Sequence, residues 1–122
     1  MSIAVEIAEV EQRIAEYGPQ AFLVTVRDEG TPHVVSVVVR VAGGRLRMGA
    51  GSRTRANLAA RPAATLLWSP PIDGPYSLIV DATADPAAGD DESIALEVSS
   101  AVLHRMAGAP GDGPTCLPVT SA

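Results

Sequence analysis

With 122 residues, 47% of them apolar, and a formal net charge of −5, the chain has the size of one packed domain and is too apolar for disorder. The acidic balance disfavours nucleic acid as a partner, and no apolar run approaches the roughly 20 residues of a membrane span. One cysteine, Cys116, allows no internal disulfide, no lysine is present for Schiff-base or phosphate-loop chemistry, and no spacing suits a metal.

In chain order, Ser2 to Tyr17 reads as an amphipathic helix. Ile3, Ile7, Val10, Ile14 and Tyr17 fall on one face, Glu9 and Arg13 form an i,i+4 pair, and Gly18-Pro19 stops it. The segment is acidic with no basic region ahead of its apolar positions, so it does not read as a signal peptide. Together with the lone cysteine, this makes a cytoplasmic location the expectation. Ala21 to Arg27 is β-rich, and Asp28 to Pro32 is turn chemistry. His33 to Ala42 reads as one Val-rich strand, and Gly43-Gly44 turns it into a strand from Arg45. The valines break strict alternation, which predicts burial on both faces, as in a barrel wall that also meets a subunit.

Arg45 to Trp68 carries the chemistry. After the strand, Gly49-Ala-Gly51 leaves the backbone open to close approach, Ser52 suits an N-cap, Arg53 to Ala60 reads as a helix, and Pro62 ends it. From Gly30 to Ile72 there are six arginines and no Asp or Glu, whereas the rest of the chain has three arginines and fourteen carboxylates. Arg53 and Arg55 lie in the first helical turn, where cations oppose the helix dipole unless an anion is bound. The segment therefore reads either as a phosphate or carboxylate site or as a capped helix with solvated arginines.

Ala63 to Trp68 and Tyr76 to Ala84 read as strands flanking a rigid Pro-rich loop. Ser93 to Val98 reads as the sixth strand, and Ser99 to Ala107 as a helical or irregular turn. Residues 1–107 form one predicted domain, and 108–122 a loosely held tail. His33 and His104 are far apart in sequence, no paired carboxylates occupy the basic segment, and no serine has the Gly-x-Ser-x-Gly context. No residue set announces acid–base or nucleophilic catalysis. Any redox chemistry would come from a cofactor.

The run of elements, and above all Gly-Ser-Arg-Thr-Arg-Ala-Asn-Leu at 51–58 followed by Ala-Arg-Pro-Ala-Ala-Thr-Leu-Leu-Trp at 60–68, resembles the pyridoxamine 5′-phosphate oxidase-like split β-barrel family. The resemblance spans about residues 5 to 105. It implies a mainly β, six-stranded antiparallel split barrel of the FMN-binding type. It also implies a homodimer with FMN or coenzyme F420 in a groove between subunits, acting as an oxidoreductase that moves a hydride to or from a small organic substrate. Position by position, it implies a cofactor phosphate against Ser52, Arg53, Thr54 and Arg55, with Asn57 in the same turn and Arg47 and Met48 beneath. Ser36 and Val37 would face the ring system, and Tyr76 would approach from the other subunit. Two positions depart from the pattern. Thr54 stands where the family usually has lysine, and Arg61 where it commonly has aspartate. The alternative is a barrel of this fold without turnover, either binding a cofactor or serving as a ligand-free dimeric protein.

Overall fold

The computed structural model describes residues 2–107. Eight strands and two helices follow in the order β1 (Ser2–Val5), α1 (Val10–Tyr17), β2 (Gln20–Val26), β3 (Pro32–Val38), β4 (Arg40–Ala42), β5 (Arg45–Gly49), α2 (Ser52–Ala60), β6 (Ala63–Trp68), β7 (Tyr76–Ala84) and β8 (Ser93–Arg105). All pair antiparallel in one sheet of order β3-β2-β6-β7-β8-β5-β4, with β1 also on β8. A register shift between Asp81 and Ala82 bends β7 against β8, and the curled sheet brings β3 back towards β5. The architecture is the expected split barrel, with eight strands rather than six.

The inward positions alternate as a half-buried strand requires. Leu23, Leu66, Leu78, Val80 and Leu96 are fully buried, and Trp68 is 1% exposed. Trp68 Nε1 donates to the Gly18 carbonyl at 2.9 Å, which fixes the end of α1 over the core. Gly18 itself has φ 95°, and Gly43 and Gly44 have φ 62° and 72°. The last two are the conformation of the tight turn read from the Gly-Gly pair.

Three expectations are corrected. The first concerns Ser2 to Tyr17, which is not one helix. Ser2–Val5 pairs with β8, opposite Ala101–His104, and a 3-10 turn at Ile7–Glu9 precedes α1. The open edge of β8 offers Ile3 and Val5 a partner that no local pattern reveals. Arg13 then pairs with Glu16 at 3.3 Å, not with Glu9. Second, the Val-rich strand breaks at Val39, whose N–H still donates to the Pro19 carbonyl, one step past the Gln20–Val38 pair, where proline has no N–H to return the bond. Within one chain the two faces of this strand differ: Val37 and Val39 are buried, while Val34 and Val38 are 57% and 59% exposed, on the face that the expected burial on both sides leaves for a second subunit. Third, Ser99–Arg105 continues β8 as strand, since β1 and β7 pair with it on both sides. The predicted tail at 108–122 lies outside the described residues. Among those described, no helix is long and apolar enough to cross a membrane.

Tyr17 joins α1 to β7. Its hydroxyl donates to the Tyr76 carbonyl at 2.8 Å. Burial pushes the Tyr17 phenol above its ordinary value of 10.0, with Arg13 opposing and Glu16 adding to the shift. The folded state therefore holds this proton more tightly than the unfolded chain. Its contribution is complete below pH 10.0 and is lost as pH rises through the folded value. Tyr17→Phe is expected to flatten that alkaline loss in a urea-denaturation series and to lower stability near neutrality by about 1 kcal/mol. An unchanged alkaline profile in the variant would refute the assignment.

Candidate functional site

Gly51 is the N-cap of α2, with extended backbone (φ −74°, ψ 173°) and no side-chain cap. Ser52 is thus the first helical residue rather than the cap. With neither a capping side chain nor an acidic residue in the first turn, the early N–H groups of α2 have no satisfaction from within the helix. A cavity of 350 Å³ opens at this end, walled by Ser52, Arg53 and Thr54 of α2, by Gly49 to Gly51, and by His33, Val35 and Ser36 of β3. A groove of 530 Å³ runs beside it over β2, β3 and β6 to the Pro-rich loop, lined by Phe22, Val37, Leu67 and Ile72 among others. Ser36 borders both.

The arginines separate. Arg53 is exposed and makes no hydrogen bond or ion pair among the described residues. Arg55 lies on the other side of α2, with Nε donating to the Ala50 carbonyl at 3.2 Å. Residues two apart on a helix project about 200° apart, so a shared ligand was not to be expected from their spacing. Arg47 donates to the carbonyls of Ala42 (3.2 Å) and Ala88 (2.8 Å), and Met48 is 2% exposed in the core. Neither lines the cavity. The charge imbalance of the segment is offset in space at two of its six arginines. Arg45 pairs with Asp85 at 3.1 Å and Glu97 at 3.6 Å, and Arg61 with Asp28 at 2.7 Å. The Arg61 hydrogen bond and charge hold the Asp28 carboxyl below the ordinary carboxylate value.

Thr54 is 2% exposed, and Asn57 is 1% exposed with Nδ2 donating to Thr25 Oγ1 of β2 at 3.1 Å. Asn57 thus fastens α2 to the sheet and holds the helix end at the cavity, while its Oδ1 is buried without a partner among the described residues. Asn57→Ala removes a buried hydrogen bond and leaves the Thr25 hydroxyl unpaired, so a loss of about 2 kcal/mol is expected. Thermal or urea unfolding within experimental error of wild type would contradict this role. Tyr76 lines neither cavity, and its carbonyl serves Tyr17. His33 and Val35 are wall residues that sequence reasoning missed. His33 Nδ1 is buried without a partner among the described residues. β3 ends the strand order, a placement that no local sequence pattern shows. No group of three or more metal-ligating side chains occurs among the described residues.

This architecture is the pyridoxamine 5′-phosphate oxidase-like split-barrel fold. An F420 reductase superposes with a TM-score of 0.59 at 19% identity, covering 70% of this chain and 90% of that one. A heme-binding protein from Mycobacterium smegmatis gives 0.58 at 20%, covering 80% and 53%. A pyridoxinephosphate oxidase family protein from Clostridium acetobutylicum gives 0.58 at 12%, covering 83% and 91%. In sequence, the chain belongs to one family with uncharacterized proteins of Mycobacterium bovis and Mycobacterium tuberculosis. Each is 40% identical over 125 aligned residues, spanning 91% of this chain and 86% of the relative. No protein-family model matches.

Proposed function

We propose that this protein binds FMN or coenzyme F420 and acts as an oxidoreductase on a small organic substrate, as a cytoplasmic homodimer. The observation that carries the reading is the continuity at Ser36. An anion-accepting helix end and an apolar groove share that residue, matching a ligand with a phosphate at one end and a planar ring system at the other. The fit rests on the uncapped N-terminus of α2, the unpaired Arg53, and the absence of any side chain at Gly51. Arg53 and the Ser52 hydroxyl would hold the phosphate, with buried Thr54 supporting the turn. Ser36 and Val37 would border the ring, and the apolar groove would exclude water. When bound, the cofactor supplies hydride transfer, and no acid–base side chain is assigned a part. The outward Phe22, Val34 and Val38, beside the exposed Ile72, form the face that a second subunit would cover.

The test is titration of the purified protein with FMN, F420 and hemin by fluorescence and absorbance, with sedimentation run in parallel. Saturable FMN or F420 binding by a dimer, followed by cofactor reduction with a hydride donor, is the expected outcome. Binding without reduction favours the non-catalytic alternative. Binding of hemin alone would overturn the reading.

A further inference from the structure

On the side of α2 away from Arg53 lies a second cleft of 660 Å³, between the C-terminal half of the helix and the 84–95 segment. That volume is in the usual range for small-molecule sites, about 300–1,000 Å³. Its floor is apolar, made by Leu58, Ile94 and Ala95, all buried. Its outer wall is built rather than loose. Arg45 grips Asp85 and Arg47 grips the Ala88 carbonyl, so two of the basic segment's arginines shape this cleft. A side chain at Gly89 would meet the Ser93 carbonyl at 3.0 Å, so glycine permits the close approach of wall to β8.

The polar groups at the mouth are of both signs. Arg55 uses Nε on the Ala50 carbonyl, while its terminal nitrogens make no hydrogen bond among the described residues. Asp90 accepts from the Glu92 N–H at 2.9 Å and Asp91 is exposed, both lining the same cleft. That hydrogen bond first, the Ser93 side chain next, and in smaller measure the Arg55 charge hold the Asp90 carboxyl below its ordinary value, so the two signs already act on each other at the mouth. A lone carboxylate ligand would meet the acidic side, and a lone amine would meet Arg55.

We infer that this cleft binds a small zwitterion with an apolar body, of the α-amino acid type. Its carboxylate lies on Arg55, its ammonium on Asp90 and Asp91, and its side chain on the Leu58–Ile94–Ala95 floor. The inference is independent of the cofactor reading, because the cleft shares no residue with the cavity at Arg53.

The full chain, isotopically labelled, would be titrated with L-leucine, with 4-methylpentanoate, which lacks the ammonium, and with isoamylamine, which lacks the carboxylate. Saturable amide shifts confined to about residues 55–59 and 84–95 are expected for leucine, with each analogue at least about tenfold weaker. Arg55→Gln should weaken leucine binding by at least about tenfold. Ala59→Phe, at an exposed helical position lining the cleft, should abolish binding while preserving the spectrum of the folded protein. Should Arg55→Gln fold poorly, Ala59→Phe decides the matter alone. Absence of saturable shifts at millimolar leucine, equal binding of either analogue, or leucine binding unaffected by Ala59→Phe would overturn the inference.

Discussion

Trp68→Ala is expected to destabilise the protein by about 3–5 kcal/mol, the usual range for deleting a buried aromatic side chain. The indole is 1% exposed, and its N–H holds the Gly18 carbonyl at the end of α1. Truncation would therefore leave both a cavity and an unsatisfied carbonyl. A domain of this size has about 5–15 kcal/mol in total, so the variant should sit near its unfolding transition at moderate temperature. Trp68→Phe keeps most of the apolar bulk and loses the hydrogen bond, with an expected cost of about 1–3 kcal/mol. Because Trp68 is the only tryptophan, circular dichroism rather than fluorescence must follow unfolding. Urea midpoints for both variants close to wild type would mean that the ring does not anchor α1.

Arg53→Ala should weaken FMN or F420 binding about ten- to hundredfold, the loss of one charge-assisted donor to phosphate at about 1.5–3 kcal/mol. Arg55→Ala, on the opposite side of α2, should leave that affinity within about threefold. The contrast between the single variants tests the geometry more sharply than removing both arginines together. Fold stability should hold or rise slightly in Arg53→Ala, since a cation is removed from the positive end of the helix dipole. Added salt should weaken wild-type binding more than binding by this variant. Equal losses for the two variants would show that Arg55 swings round to the phosphate. No loss for Arg53 would move the anion site elsewhere.

The sheet was legible in the sequence wherever local pattern and partner agreed. Ala63–Trp68 and Tyr76–Ala84 were read to the residue because alternation and flanking prolines mark both. Ser2–Val5 and Ser99–Arg105 were misread for one shared reason. Each is a strand only because the other is present, and pairing across about a hundred residues leaves no local trace. The helix end at Gly51–Thr54 was visible through its glycines and hydroxyls. Which arginine serves it was not, because Arg45, Arg47 and Arg61 are claimed by Asp85, Ala88 and Asp28 from distant parts of the chain. Asn57 entered the candidate site through its place in the 51–58 turn, and its bond to Thr25 on the sheet below is a tertiary contact that the sequence does not display.

The 13-residue β8 bears on how a nascent chain completes itself. One of its edges meets β7, while β5 and β1 divide the other, at Ser93–Leu96 and Ala101–His104. A ribosome makes β1 about a hundred residues before its partner, so Ser2 waits for His104 to emerge. Until then, Val5 and Leu46 have no strand beside them on that edge. Closing loops of such length costs chain entropy before any contact repays it. The split barrel is therefore completed after synthesis of its last strand rather than assembled hairpin by hairpin on the way out.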